Sequence, residues 1–186
     1  MKRTFDIILA STLLIIFIIP ICLIAITVKL SSQGPILYWS NRVGKNNHLF
    51  AMPKFRSMNI NTPEVATHLL INPKAALSPI GHFLRRSSLD ELPQLWSILK
   101  GDMSFVGPRP ALFNQYDLIS LRTTKAIHLL VPGLTGWAQI NGRDELSIIE
   151  KTNFDDEYIK RQSFLFDLCI LWWTLSKVFS QNSISH

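Results

Sequence analysis

The chain has 186 residues, 47% of them hydrophobic, with 19 Lys+Arg against 13 Asp+Glu and a net charge of +6. That length allows one core-bearing unit with an appendage and excludes two ordinary domains. The positive balance points to an anionic partner such as a phosphorylated ligand, lipid headgroups or nucleic acid; Cys22 and Cys169 lie in separate apolar runs, which argues against a disulfide framework or a cysteine metal site and fits a reducing compartment.

From Ile7 to Val28 no residue is charged, and the run exceeds the ~20 residues that cross a bilayer core as a helix. Lys2 and Arg3 precede it as they would a signal peptide, but the run is too long and no small-x-small cleavage site follows. Pro20 removes a backbone hydrogen bond and clashes with the carbonyl four residues earlier, so a break is expected there. A kinked span and a re-entrant hairpin both accommodate such a break. Basic residues flank the run on both sides, Lys2 and Arg3 before it and Lys29, Arg42 and Lys45 after it. The positive-inside rule then gives a single span no orientation and favours both ends being cytosolic. Ser11 or Thr12 could serve the carbonyls freed by the break.

Ser31 to Pro35 is a turn signal, and Ile36 to Trp39 reads as a short strand or interfacial segment, with Tyr38 and Trp39 suited to a headgroup layer. A basic loop follows from Arg42 to Asn47, then the cluster Lys54-Phe55-Arg56-Ser57-Met58, for which a solvated face is the plainest account. Residues 59 to 79, with Pro63, Pro73 and Pro79, read as a loop holding at most a short helical turn. Leu89, Leu92, Leu95 or Trp96, and Leu99 recur at helical spacing and Gly101 supplies a stop, so a helix is predicted over about 89–100. Gly107-Pro108-Arg109-Pro110 presents an arginine between rigid prolines. Pro132 to Gly136 is a further turn. Phe164 to Phe179 is largely apolar and about 24 Å long as a helix, too short to span; a core helix and an interfacial one fit it equally.

Asp90 and Glu91 are the residues most able to carry chemistry. The competing account is structural: Ser88-x-x-Glu91 matches a capping box, and acids favour a first helical turn. Pro93, which has no N–H to donate, also fits a helix beginning near Asp90. Either way the pair is expected at a helix N-terminus, where free N–H groups and the dipole stabilise a carboxylate and a nearby phosphate. An ionised Asp90 could attack phosphorus. Mg²⁺ would relieve the repulsion between the two carboxylates, and Arg85 and Arg86 directly precede them as counter-charges.

Four blocks in order resemble one family: Lys54 to Met58 (KFRSM), Leu84-Arg85 with Ser88 to Leu95 (SLDELPQL), Gly101 to Pro110 (GDMSFVGPRP) and Pro132 to Arg143 (PGLTGWAQINGR). The chain is similar, from Lys2 to about Lys177, to the bacterial sugar transferases called small monotopic phosphoglycosyl transferases. The resemblance implies transfer of a sugar 1-phosphate from a UDP-sugar to undecaprenyl phosphate, a polyprenol phosphate, with release of UMP. It assigns Asp90 as the nucleophile of a covalent phosphosugar intermediate, Glu91 with Asp90 as Mg²⁺ ligands, and the Pro108-Arg109-Pro110 turn as lying against uridine. Lys54, Arg56, Arg85, Gln139 and Arg143 would contact phosphate and sugar, and Asp155 matches a further family acid on the substrate side. Ping-pong kinetics follow from covalent catalysis at one site.

The resemblance also implies an α+β, mainly helical fold: a re-entrant membrane helix over 1–30, broken at Pro20, and a cytosolic, membrane-associated catalytic domain over 31–186 with interfacial amphipathic helices. The expected location is the cytosolic face of the bacterial inner membrane, with its lipids as partners. The chain lacks the extra N-terminal helices of larger relatives, so the minimal catalytic form is expected, and any homodimer would use the surface of this unit. Several positions depart from the family pattern. Ile19 stands where Ser usually precedes the proline, and Pro53, Ser97, Asn41 and Asp144 are also unusual, the last bearing on sugar choice. The alternative reading is a membrane-anchored protein that binds nucleotide sugar or anionic lipid without turnover. Nucleic acid has only the net charge in its favour.

Overall fold

The computed structural model describes residues 1–63, 75–142 and 145–180. Much of the expected loop at 59–79, together with Arg143 and Asp144, lies outside the described residues. Among the described residues the fold is mainly helical with two small sheets, compatible with an α+β class.

The N-terminal run forms two helices, α1 (Lys2–Ile16) and α2 (Ile18–Ser31), bent by 63° at Phe17. No single helix among the described residues is long and apolar enough to cross a bilayer; only this bent pair passes together. The bend precedes Pro20 by three residues rather than falling on it. The reason is the one that made proline a breaker: the ring excludes the turn N-terminal to itself and is tolerated within the first turn of the helix that follows. Large apolar side chains around the elbow, including Ile15, Ile16, Ile18 and Ile19, face outward.

Both ends of the pair are fastened to the same body. At the start of α1, Lys2 Nζ donates to the Val106 carbonyl (2.9 Å) and pairs with Asp167 (2.5 Å). Arg3 donates to the Ile98 and Leu99 carbonyls, and buried Asp6 accepts from the Phe105 N–H. At the far end, Ile24 and Val28 of α2 pack with Phe55 and Leu84 in a small second core.

β1 (Leu37–Val43) and β2 (Leu49–Phe55) form an antiparallel hairpin, with Leu37 opposite Phe55 and Val43 opposite Leu49. After the stretch outside the described residues come α3 (Gly81–Ser87), a 3₁₀ turn over Leu89–Glu91, and α4 (Gln94–Lys100). The single helix predicted over 89–100 is therefore two pieces. Pro93 is the N-cap of α4, so the acidic pair sits one turn upstream of that helix.

β3 (Ser104–Val106) pairs in parallel with β4 (Gly133–Thr135), with α5 (Tyr116–Thr124) between them in the chain. α6 (Trp137–Asn141), α7 (Ile148–Arg161) and α8 (Phe164–Ser180) follow. The main core joins Ala10, Met52, Ile98, Phe105, Tyr158 and Ile170 from six different elements, α1, β2, α4, β3, α7 and α8. The α8 helix buries Phe166, Asp167 and Ile170 while leaving Leu165, Trp172 and Leu175 outside.

Candidate active site

The turn bearing Asp90 and Glu91 is shaped by Ser88, whose φ of 56° puts it in the left-handed region. Ser88 makes no side-chain capping bond, so the capping-box account of the acidic pair does not hold. A capping box does form elsewhere, between Ser147 and Glu150 at the start of α7. With no cap to serve, the two carboxylates are free to turn towards the cations around them.

Glu91 is the hub. Lys54 Nζ from β2 and Arg109 Nη2 from the Pro-Arg-Pro turn both donate to its Oε1, each at 2.8 Å. Burial alone would raise the Glu91 pKa, but Arg109 and Lys54 outweigh it and hold the carboxyl well below its ordinary range. Burial draws the Lys54 ammonium below its usual value, against the pull of Glu91. Asp90 is only 8% exposed and accepts no side-chain hydrogen bond among the described residues. Its pKa is pushed up by burial, with Lys54, Arg85 and Arg109 opposing and Glu91 reinforcing. The fold brings Lys54, Arg85, Asp90, Glu91 and Arg109 into one cluster.

The Pro-Arg-Pro turn is held by its backbone. The Pro108 carbonyl accepts from Gly133 N–H at 2.9 Å, the Pro110 carbonyl from Arg42 at 3.2 Å, and the Arg109 carbonyl from Arg122 Nη1 at 2.7 Å. Arg122 is itself buried and gives Nε and Nη2 to Asp155 Oδ2, at 2.9 and 2.6 Å. Burial pushes the Asp155 pKa up and Arg122 opposes it. Asp155 thus connects to the cluster through Arg122 and the Arg109 backbone. Arg122 was not picked out from the sequence: its spacing on α5 carries no signal, and only the approach of α7 reveals its partner.

Among the described residues, neither Arg56 nor Gln139 bonds to the cluster. Arg56 is buried and reaches back to the Ser32 carbonyl and hydroxyl (2.8 and 2.7 Å), with Nε and Nη1 unpartnered among the described residues. Gln139 on α6 has both amide atoms buried and unpartnered among the described residues, which leaves it a donor and acceptor for a ligand. Arg143 lies outside the described residues.

No group of three or more His, Cys, Asp or Glu side chains that could hold a metal occurs among the described residues. Two adjacent carboxylates, one firmly ionised, nevertheless fit Mg²⁺, which is commonly held by one or two carboxylates and otherwise by substrate phosphates and water.

A model of the bacterial sugar transferase family matches residues 1–181. The chain belongs to the bacterial sugar transferase family. Among family relatives, the UDP-glucose:undecaprenyl-phosphate glucose-1-phosphate transferase of Escherichia coli is 42% identical over 96% of this chain and 40% of its own length. The uncharacterized sugar transferase EpsL of Bacillus subtilis is 36% identical, covering 99% of this chain and 90% of that protein. The exopolysaccharide production protein ExoY of Rhizobium meliloti is 37% identical over 95% and 84%. The chain thus spans about two fifths of the Escherichia coli relative's length and most of the other two.

Proposed function

We propose that this family member transfers a sugar 1-phosphate from a UDP-sugar to undecaprenyl phosphate. The observation that carries the reading is the buried Asp90 carboxylate, which has no side-chain hydrogen-bond donor among the described residues and lies among Lys54, Arg85 and Arg109. Such a group has its lone pairs uncommitted while the cations around it stabilise an incoming diphosphate. An Asp90 oxygen attacks the phosphorus bonded to the sugar, the bond to the bridging oxygen breaks, and UMP leaves with that electron pair. The phosphate oxygen of the polyprenol then attacks the same phosphorus, and the Asp90 carboxylate departs. The products are polyprenol diphosphosugar and UMP, formed in two displacements at one site.

Arg109 and Lys54 neutralise Glu91 in the resting site and are placed to turn towards substrate phosphates as these enter. Asp90 and Glu91 would hold Mg²⁺, which supplies Lewis-acid stabilisation of charge on the phosphoryl oxygens. The unpartnered Gln139 amide supports a role in contacting the donor. The names of the Escherichia coli relative and of the undecaprenyl-phosphate galactose phosphotransferase of Salmonella typhimurium support this acceptor and a hexose donor. The fastening of both ends of the bent helix pair to one body supports a re-entrant arrangement, which the reading places on the cytosolic face of the inner membrane.

The test is UMP release by the purified chain with Mg²⁺, undecaprenyl phosphate and a panel of UDP-sugars. At least one sugar should turn over, and Asp90→Asn should lower the rate by roughly 10⁴-fold or more, the scale on which loss of a nucleophile acts. A folded protein inert to the whole panel would favour the non-catalytic binding reading instead, and an active Asp90→Asn would sink the covalent mechanism.

A further inference from the structure

A cavity of about 400 Å³ lies beside the charge cluster, and its lining residues are apolar. That volume falls in the roughly 300–1,000 Å³ range of ligand sites. One wall is the elbow of the bent pair, through Leu14, Ile21 and Ala25. A second is β2, where Pro53 and Phe55 flank Lys54. Alternation along a strand sends neighbours to opposite faces, so β2 presents Lys54 to Glu91 and its two neighbours to the cavity. The third wall is Pro93 and Trp96, which begin two residues after Glu91.

The charge cluster and the cavity are thus separated by one strand and one turn. A ligand using both must pass round the turn from Glu91 to Pro93 and join an anionic head to hydrocarbon with no polar linker between them. A diacyl phospholipid does not meet that demand, because glycerol and two ester carbonyls stand between phosphate and chain and would enter a wall that offers them no side-chain partner. In a polyisoprenyl phosphate the hydrocarbon begins at the phosphate oxygen. Its flat, methyl-branched units also suit the rings of Pro53, Phe55, Pro93 and Trp96.

We propose that this cavity holds the first isoprene units of the acceptor, orienting its phosphate towards Asp90. The proposal rests on the transferase reading above. Its test uses the full chain in lipid nanodiscs, with Ala25→Trp to fill the cavity and Trp96→Ala to remove a wall. Loss of even modest packing energy should raise the KM for undecaprenyl phosphate by about tenfold. The single-turnover burst of UMP from the donor alone should match wild type in rate and amplitude, which also reports that each variant is folded.

In a second arm, farnesyl phosphate carrying a diazirine should label the lining residues. Unlabelled farnesyl phosphate should compete, and dioleoyl phosphatidic acid should not. An acceptor KM unchanged in both variants, labelling elsewhere, or equal competition by phosphatidic acid would overturn the proposal. If wild type releases no UMP from any donor, it is the transferase reading that fails, and the labelling arm still decides whether the cavity takes isoprenoid.

Discussion

At the scale of single residues, what matters is how two adjacent carboxylates come to differ. Glu91 is drawn down by two cations bonded to one oxygen, whereas Asp90 is raised by burial and has no such bonds among the described residues. A carboxylate with a raised pKa loses its charge at a higher pH than an ordinary aspartate. If the ionised form attacks, the UMP burst should fall on acidification at a pH above the usual aspartate range. Lys54 opposes the shift, so Lys54→Met should move the acid limb further upward; a limb that moves down, or stays put, would contradict this account of Asp90. The pair itself was legible in the sequence. Its freedom from capping was not, because Ser88-x-x-Glu91 and Ser147-x-x-Glu150 look alike and only the left-handed backbone at Ser88 separates them.

At the scale of elements, glycine and proline decide where helices begin and end. Gly101 terminates α4 at φ 99°, a conformation L-residues rarely adopt. Gly101→Ala should therefore lower stability by about 1–2 kcal/mol, seen as a lower melting temperature in detergent, with no change in UMP release per folded molecule. An unchanged melting temperature would mean that the backbone relaxes there. Gly101 was readable as a stop, and the helical period after Pro93 was real. The period could not reveal that Asp90 and Glu91 lie in a separate 3₁₀ turn, since leucines at 89 and 92 fit either geometry. For the same reason the bend near Pro20 was foreseen while its place at Phe17 was not: proline acts on the turn before itself.

At the scale of the whole molecule, long-range contacts bring the site together. Asp155 and Arg122 form a buried pair, with the carboxylate 2% exposed, and Arg122 fixes the Arg109 carbonyl. Removing the acid alone strands a buried guanidinium, so Asp155→Ala should cost roughly 3–5 kcal/mol. The residual folded enzyme should also lose donor affinity if Arg109 is displaced; retention of full stability would mean that the pair is solvated. The bent pair makes a prediction of its own. With Cys22 and Cys169 replaced by Ala, cysteines introduced at Thr4 and Ser32 should be labelled from the same side of sealed vesicles, and opposite-side labelling would rule out the re-entrant arrangement. The sequence by itself determined the family, through four blocks in fixed order, and the chemistry available, because side-chain charge and the backbone habits of Gly and Pro are local properties. Which cations meet which acid, that Asp155 serves Arg122, and that an apolar cavity adjoins the charged cluster were decided only by tertiary structure, because each depends on segments far apart in the chain packing side by side.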